Sequence, residues 1–162
     1  MMADTVEFSL TGVDALIAKL EAVSYDMKRK GGRSALRKAA QVLAAKAKEG
    51  AQRLDDAATG RSIASNIALR WNGRLFKASG DLGFRVGVLH GAVLKKGAGT
   101  GANAPTPHWR LLEFGTDKMA AKSFMRKALA DHISEVTNTF ITEYEKAIDR
   151  ALRRAAKASG SN

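Results

Sequence analysis

The chain has 162 residues, with 27 Lys and Arg against 16 Asp and Glu, a formal charge of +11 and no cysteine. That length suits one domain able to bury roughly two thirds of its unfolded surface, and the absence of thiols excludes disulfides, thiolate catalysis and Cys-based zinc sites. No apolar run approaches the roughly 18 residues of a membrane span, and the start Met-Met-Ala-Asp-Thr-Val-Glu has no basic-then-apolar signal pattern, so the expected compartment is the cytoplasm or a particle assembled there.

In chain order, Val6, Phe8 and Leu10 alternate with polar residues up to Gly12, a strand pattern over 5–11. Asp14 is placed to cap a first helix whose face carries Leu16, Ile17, Leu20, Val23 and Met27, and Gly31-Gly32 is expected to end it. Ser34 then opens a second helix with Leu36, Ala40, Leu43, Ala47 and Leu54 on one face. Its alanines let it lie close to a neighbour, and Gly50 costs about 1 kcal/mol relative to alanine, so its far end is expected to fray. After a turn at Thr59-Gly60, Ile67, Leu69 and Trp71 alternate as a strand over 67–72. Asn72-Gly73 is the strongest short hairpin signal in the chain, with Leu75 and Phe76 as a weaker continuation of the pairing. A second good strand covers 82–89 through Leu82, Phe84, Val86 and Val88, and Gly87 within it suggests a bulge or a close backbone approach.

Residues 91–106 are glycine-rich, carry Lys95 and Lys96, and read as a long mobile loop. Gly97 to Ala102 fits a G-x-G-x-x-A pattern, but Pro105 and Pro107 follow where a nucleotide site needs a helix. The run Trp109, Leu111, Leu112, Phe114 surrounds one acid, Glu113, and stops at Gly115. A carboxylate so placed is either held by a partner or turned outward. The apolar positions of 108–114 fit both a strand and a helical turn, and the helical turn is the reading adopted here. From Ser123, read as a cap, Met125, Leu129, Ile133, Val136, Phe140, Tyr144, Ile148 and Leu152 recur at helical spacing. Such a helix, to Lys157, runs about 50 Å at ~1.5 Å per residue, so its far end is expected to protrude or to pack on another subunit.

These elements predict a single α+β domain over 1–157: a small, mainly antiparallel sheet packed by two N-terminal helices and one long C-terminal helix, with a disordered tail at 158–162. The expected core is Phe8, Leu16, Leu20, Leu36, Leu43, Trp71, Phe84, Val86, Trp109, Leu112, Phe114, Phe124, Leu129, Ile133 and Phe140.

Little of this pattern reads as chemistry. His90, His108 and His132 have no partner at metal-ligand spacing, and Glu113 has no second acid or base to work with. Ser62, Thr116 and Ser123 lack a nucleophile-elbow context. No enzyme, no cofactor and no metal are therefore expected. Positive charge is concentrated over 28–53, at residues including Arg33, Arg37, Lys46 and Arg53, and near the C-terminus at Arg150, Arg153, Arg154 and Lys157. Such faces suit an acidic neighbour, and they equally suit plain solvation.

One pairing of segments resembles a known family. Leu112, Glu113, Phe114, Gly115 and Thr116, followed after a polar–alanine spacer by Phe124, Met125, Arg126, Ala128 and Leu129, are similar to the head–tail joining (neck, or tail-completion) proteins of long-tailed bacteriophages. Ser123 and Lys127 stand where that family often has prolines. The resemblance implies a non-enzymatic virion protein, a ring subunit of about six copies joining tail to head around the DNA channel. Its implied partners are further copies of itself, neighbouring head-completion and tail proteins, and DNA passing without sequence specificity. Lys95, Lys96, Arg33, Arg37, Lys46 and Arg53 are the candidates for channel or inter-ring contacts. A tail terminator or minor tail subunit would share this plan. In a different class, a free basic nucleic-acid-binding protein would use the same cations on phosphates, although no recognition-helix or aromatic-platform signature accompanies them.

Overall fold

Alanine and glycine, more than leucine, decide how the two long helices meet. The structure, a computed structural model, describes residues 25–55, 60–89 and 104–159. In order these form α1 (Tyr25–Gln52), the single turn α2 (Ile63–Asn66), β1 (Ile67–Trp71), α3 (Gly73–Ser79), β2 (Phe84–Val88), α4 (Trp109–Phe114) and α5 (Phe124–Ser159). The α+β class holds. The strand expected at 5–11 and the start of the first helix lie outside the described residues, as do core candidates Phe8, Leu16 and Leu20.

Gly31-Gly32 does not break the helix: α1 runs through both. Each glycine costs a helix about 1 kcal/mol relative to alanine, but here the missing side chain makes room for a neighbour. A Cβ on Gly31 would lie 3.2 Å from both Ala147 Cβ and the Tyr144 ring, and one on Gly32 would lie 3.0 Å from Leu82 Cδ1. At the other end of α1, Gly50 faces Phe124. Helices α1 and α5 therefore lie antiparallel in close contact. Ser34 sits inside α1 and opens nothing.

The core follows from that approach. Ala47, Ala51, Ile63, Ala64, Ile67, Phe124 and Ala128 form one buried cluster, with Leu43, Val86, Trp109 and Leu112 half-buried around it. Ala35, Tyr144 and Ile148 form a second, flanked by Phe140. Leu36, Trp71, Phe84 and Ile133 are half-buried. Two expected core residues are not core: Phe114 is 60% exposed and Leu129 44% exposed. Phe114, at the end of α4, instead lies under the Arg126 guanidinium.

The two strands pair antiparallel from Ile67↔Val88 to Trp71↔Phe84 in unbroken register. Gly87 accordingly makes no bulge, and a Cβ there would meet nothing within 4 Å. Asn72-Gly73 is not a hairpin turn. The Asn72 side chain accepts from the Leu75 amide at 3.2 Å and caps α3, which Gly80 ends with φ 79°. Leu75 and Phe76 are thus helical. Phe76 returns to pack on Trp71, which also meets Phe84 edge-on, with ring centroids 5.6 and 5.2 Å away. An aromatic contact that spans the connection has outweighed a local turn preference.

The end of the 91–106 segment, at 104–106, is fixed rather than loose. Thr106 and Ala104 are buried, and the buried Asn66 amide donates to Ala104 O at 2.7 Å and to Thr106 Oγ1 at 3.2 Å. Helix α5 has 36 residues, about 54 Å at ~1.5 Å per residue. It includes 158 and 159, two residues beyond the expected boundary.

Two outcomes are expected. Gly31→Val should lower unfolding stability by about 1–3 kcal/mol in urea titration, because its branches would press α5 off α1. Between the same helices, the Lys38 ammonium and then Lys146 hold the Glu143 carboxyl below its ordinary value of 4.5. With the folded pKa below the unfolded one, the stabilisation is complete above the unfolded value and fades as pH falls through the folded one. The stability difference between wild type and Glu143→Gln should therefore shrink below about pH 4.5.

Candidate functional site: a capped corner and a basic groove

The motif that spans 112–129 folds into a corner between α4 and α5. Apolar spacing makes α4 a short helix, and Gly115 stops it with φ 77°. Only glycine fits there, since a Cβ would lie 2.8 Å from both Ala121 N and Met119 O, two backbone atoms that cannot yield. Thr116 and Met119 then bond to each other's backbone, closing a tight loop. The chain returns along α4, where the Lys122 amide donates to Leu112 O at 2.8 Å.

Glu113 is 2% exposed, and its carboxylate is the cap of α5. Oε2 accepts from the Met125 amide at 2.9 Å, and Oε1 accepts from the Arg126 amide at 3.0 Å and from Arg126 Nε at 3.1 Å. Two first-turn amides that a helix leaves without partners are thereby satisfied by an anion at the positive end of the helix dipole. Ser123, expected as the cap, occupies the cap position at φ 41°, but its hydroxyl donates to Glu113 O at 3.2 Å. Its own carbonyl accepts from the Lys127 amide. Arg126 closes the corner. Its Nη2 donates to Glu113 O at 2.6 Å and to Ser123 Oγ at 2.9 Å, while its guanidinium lies over the exposed Phe114 ring, 5.0 Å from the centroid. Phe124 and Ala128 are buried, Met125 and Leu112 are half-buried against the same core, and Leu129 points outward.

The positively charged candidates divide between two faces. Arg33 and Arg37, with Lys30 and Lys48, line an open groove of about 820 Å³ between α1 and β1, floored by Ile67, Leu69, Trp71 and Phe84. The Arg33 guanidinium lies over the Trp71 ring, 4.1 Å from the centroid, a cation–π contact within the groove. Among the described residues that line the groove there is no acid. Lys46 and Arg53 stand elsewhere, beside Glu49, Lys122, Lys127 and Asp131, where Lys46 meets Glu49 at 3.9 Å. The four cations read as one set from sequence are therefore not one surface, since a helix turns residues 37 and 46 to different sides. Lys95 and Lys96 lie outside the described residues.

Three features escaped the reading of the sequence. Asp55 accepts from Ser62 Oγ at 2.7 Å and from the Ile63 amide at 2.6 Å, tying the end of α1 to the turn that starts β1. Asn66 clamps 104–106, and Trp71 seats Arg33. The last two join residues distant in sequence, which no local pattern marks. Among the described residues no three His, Cys, Asp or Glu side chains gather as a metal site, and no helix is long and apolar enough to cross a membrane.

A family model for the bacteriophage HK97-gp10-like tail component matches residues 14–115, more than half of the chain. The chain belongs to this phage tail-component family. The match takes in α1, the groove and α4 and ends at Gly115, the stop of the corner. That membership places the protein among virion components that work against other virion proteins. No curated protein and no solved structure matches.

Removing the cap should be costly. Glu113→Ala is expected to lower stability by about 2–4 kcal/mol, because two amides and a guanidinium lose a charged acceptor. Glu113→Gln, which keeps one carbonyl oxygen, should cost less. Hydrogen exchange at Met125 and Arg126 should accelerate in both variants, more in the first.

Proposed function

We propose that the protein is a structural, non-catalytic ring subunit of the neck of a long-tailed phage, a tail-completion protein that joins tail to head around the DNA path. The observation that carries this reading is the corner at Glu113, within a chain of the tail-component family. A closed ring repeats one contact, so an angular error in each subunit accumulates around the circle. A long helix whose first turn is held by a buried carboxylate and an arginine, after a turn only glycine can make, keeps its direction. That is what a subunit with a far-reaching α5 requires. Six copies are the expected number, head-completion and tail proteins the neighbours, and the virion, assembled in the host cytoplasm, the location. Segment 91–106, with Lys95 and Lys96, or the basic faces would border the channel or touch an adjoining ring.

Being a tail component also fits a tail terminator or minor tail subunit. Electron microscopy of lysates from a phage lacking the gene separates the readings. The neck role predicts finished tails and DNA-filled heads that stay unjoined. Tails of irregular length would indicate the terminator, and purified wild-type particles free of the protein would indicate a free nucleic-acid-binding role. Replacing Lys95 and Lys96 by alanine without loss of infectivity would remove the loop from the channel.

A further inference from the structure

The groove between α1 and β1 has a charge pattern that finds its complement on the same chain. Along α1 it presents Lys30, Arg33 and Arg37, then the uncharged Gln41 and Ala45, then Lys48. Along α5, the line Asp131, Glu135, Asn138, Thr142, Glu145 and Asp149, exposed except at the half-buried Glu145, advances by alternating steps of about four and three, the spacing that keeps one helix face. Its charge runs acidic, neutral, acidic. Both patterned lines, Lys30 to Lys48 and Asp131 to Asp149, extend about 27 Å at ~1.5 Å per residue. The uncharged gaps also agree, at about 16 Å from Arg37 to Lys48 and about 15 Å from Glu135 to Glu145.

The acidic line cannot fill the groove of its own molecule. Tyr144, Ile148 and Ala151 turn the opposite side of α5 inward, leaving Asp131, Glu135, Asn138, Thr142 and Asp149 exposed. We infer that the groove of one subunit receives the acidic face of α5 from the next copy of this chain, a head-to-tail contact. Because the two surfaces differ, the contact propagates from subunit to subunit and closes into a ring where the rotation allows. The short side chains Asn138 and Thr142 face the small Ala45 and the buried Ala44 at the centre, where two helices approach most closely. Lys127 bonds to Asp131 at 3.1 Å within the chain, an exposed pair weak enough to exchange.

Duplex DNA suits the groove less well. It presents a negative charge about every 1.7 Å of its axis, whereas the groove has no lining cation between Arg37 and Lys48 and has an apolar floor of Leu69, Trp71 and Phe84. Arg33 is moreover spread over Trp71. The contact rests on the ring reading proposed above and names its interface.

The chain has no cysteine, so a single engineered pair reports the contact. The full-length chain carrying both Ala45→Cys and Thr142→Cys is oxidised at high concentration, and either change alone is the control. A ladder of disulfide-linked oligomers is expected from the double variant, with no species above a dimer from either single variant. In sedimentation velocity, Arg33→Glu with Arg37→Glu should weaken self-association by about tenfold or more, as should Glu135→Lys with Asp149→Lys. Mixing the two reversed chains should restore it, a recovery that misfolded variants would not give. Wild-type rings that neither cross-link at these positions nor respond to reversal would overturn the interface and leave the ring reading intact. A chain that stays monomeric at all concentrations, and in purified particles, would overturn both. Reversal at Arg33 and Arg37 that abolishes duplex binding but spares association would make the groove a DNA surface instead.

Discussion

The carboxylate of Glu113 is the point on which the C-terminal half of the molecule depends. It is buried near the end of α4, and it accepts from two first-turn amides of a helix 36 residues long. The bonds are partly buried and the acceptor is charged, so losing the carboxylate costs more than the modest net worth of a neutral hydrogen bond. Gly115 and Ser123 both take positive φ on either side of the connection. Glycine takes that conformation freely, and the strain at Ser123 is tolerated because the surrounding bonds over-determine the path. Arg126 then links the carboxylate to the exposed Phe114, so a surface feature and a buried one are joined through a single side chain.

The second organising constraint is closeness. Helices α1 and α5 touch through Gly31, Gly32, Gly50 and a run of alanines, with Tyr144 laid across the glycines. Such packing contributes little apolar area per residue, yet it places backbones near enough that the pair behaves as one bar. Lys38 and Lys146 on Glu143 add a charge contact along the same seam. The groove beside β1 owes its shape to this arrangement. Because α5 occupies one side of α1, Arg37 and Lys48 on the opposite side are left exposed.

For the phage tail-component family to which the chain belongs, these two constraints suggest a division of labour. The corner fixes where α5 points, and the faces of α1 and α5 determine what can dock. A subunit built this way can tolerate changes in surface charge more readily than changes at Glu113 or Gly115, since the first alter partners and the second alter geometry.

Sequence alone determined the two strands, the long final helix and the segment in which the corner lies. Alternation at 67–71 and 84–88 and the four-and-three spacing after 124 are direct prints of periodic backbones on a one-sided core. The resemblance across 112–129 likewise pointed to the phage family. Tertiary structure alone decided the fate of Gly31-Gly32 and of Asn72-Gly73, both strong local stop or turn signals, because Tyr144 in the first case and Trp71 in the second made a helix the better packed alternative. It also decided that Glu113, and not Ser123, caps α5. A serine beside a helix is visible at short range, whereas a carboxylate that folds back from another helix is a matter of distance in space. The same holds for the basic residues, which form one list in sequence and two faces in the molecule, since a helix turns its residues to different sides and only its neighbours decide which side faces what.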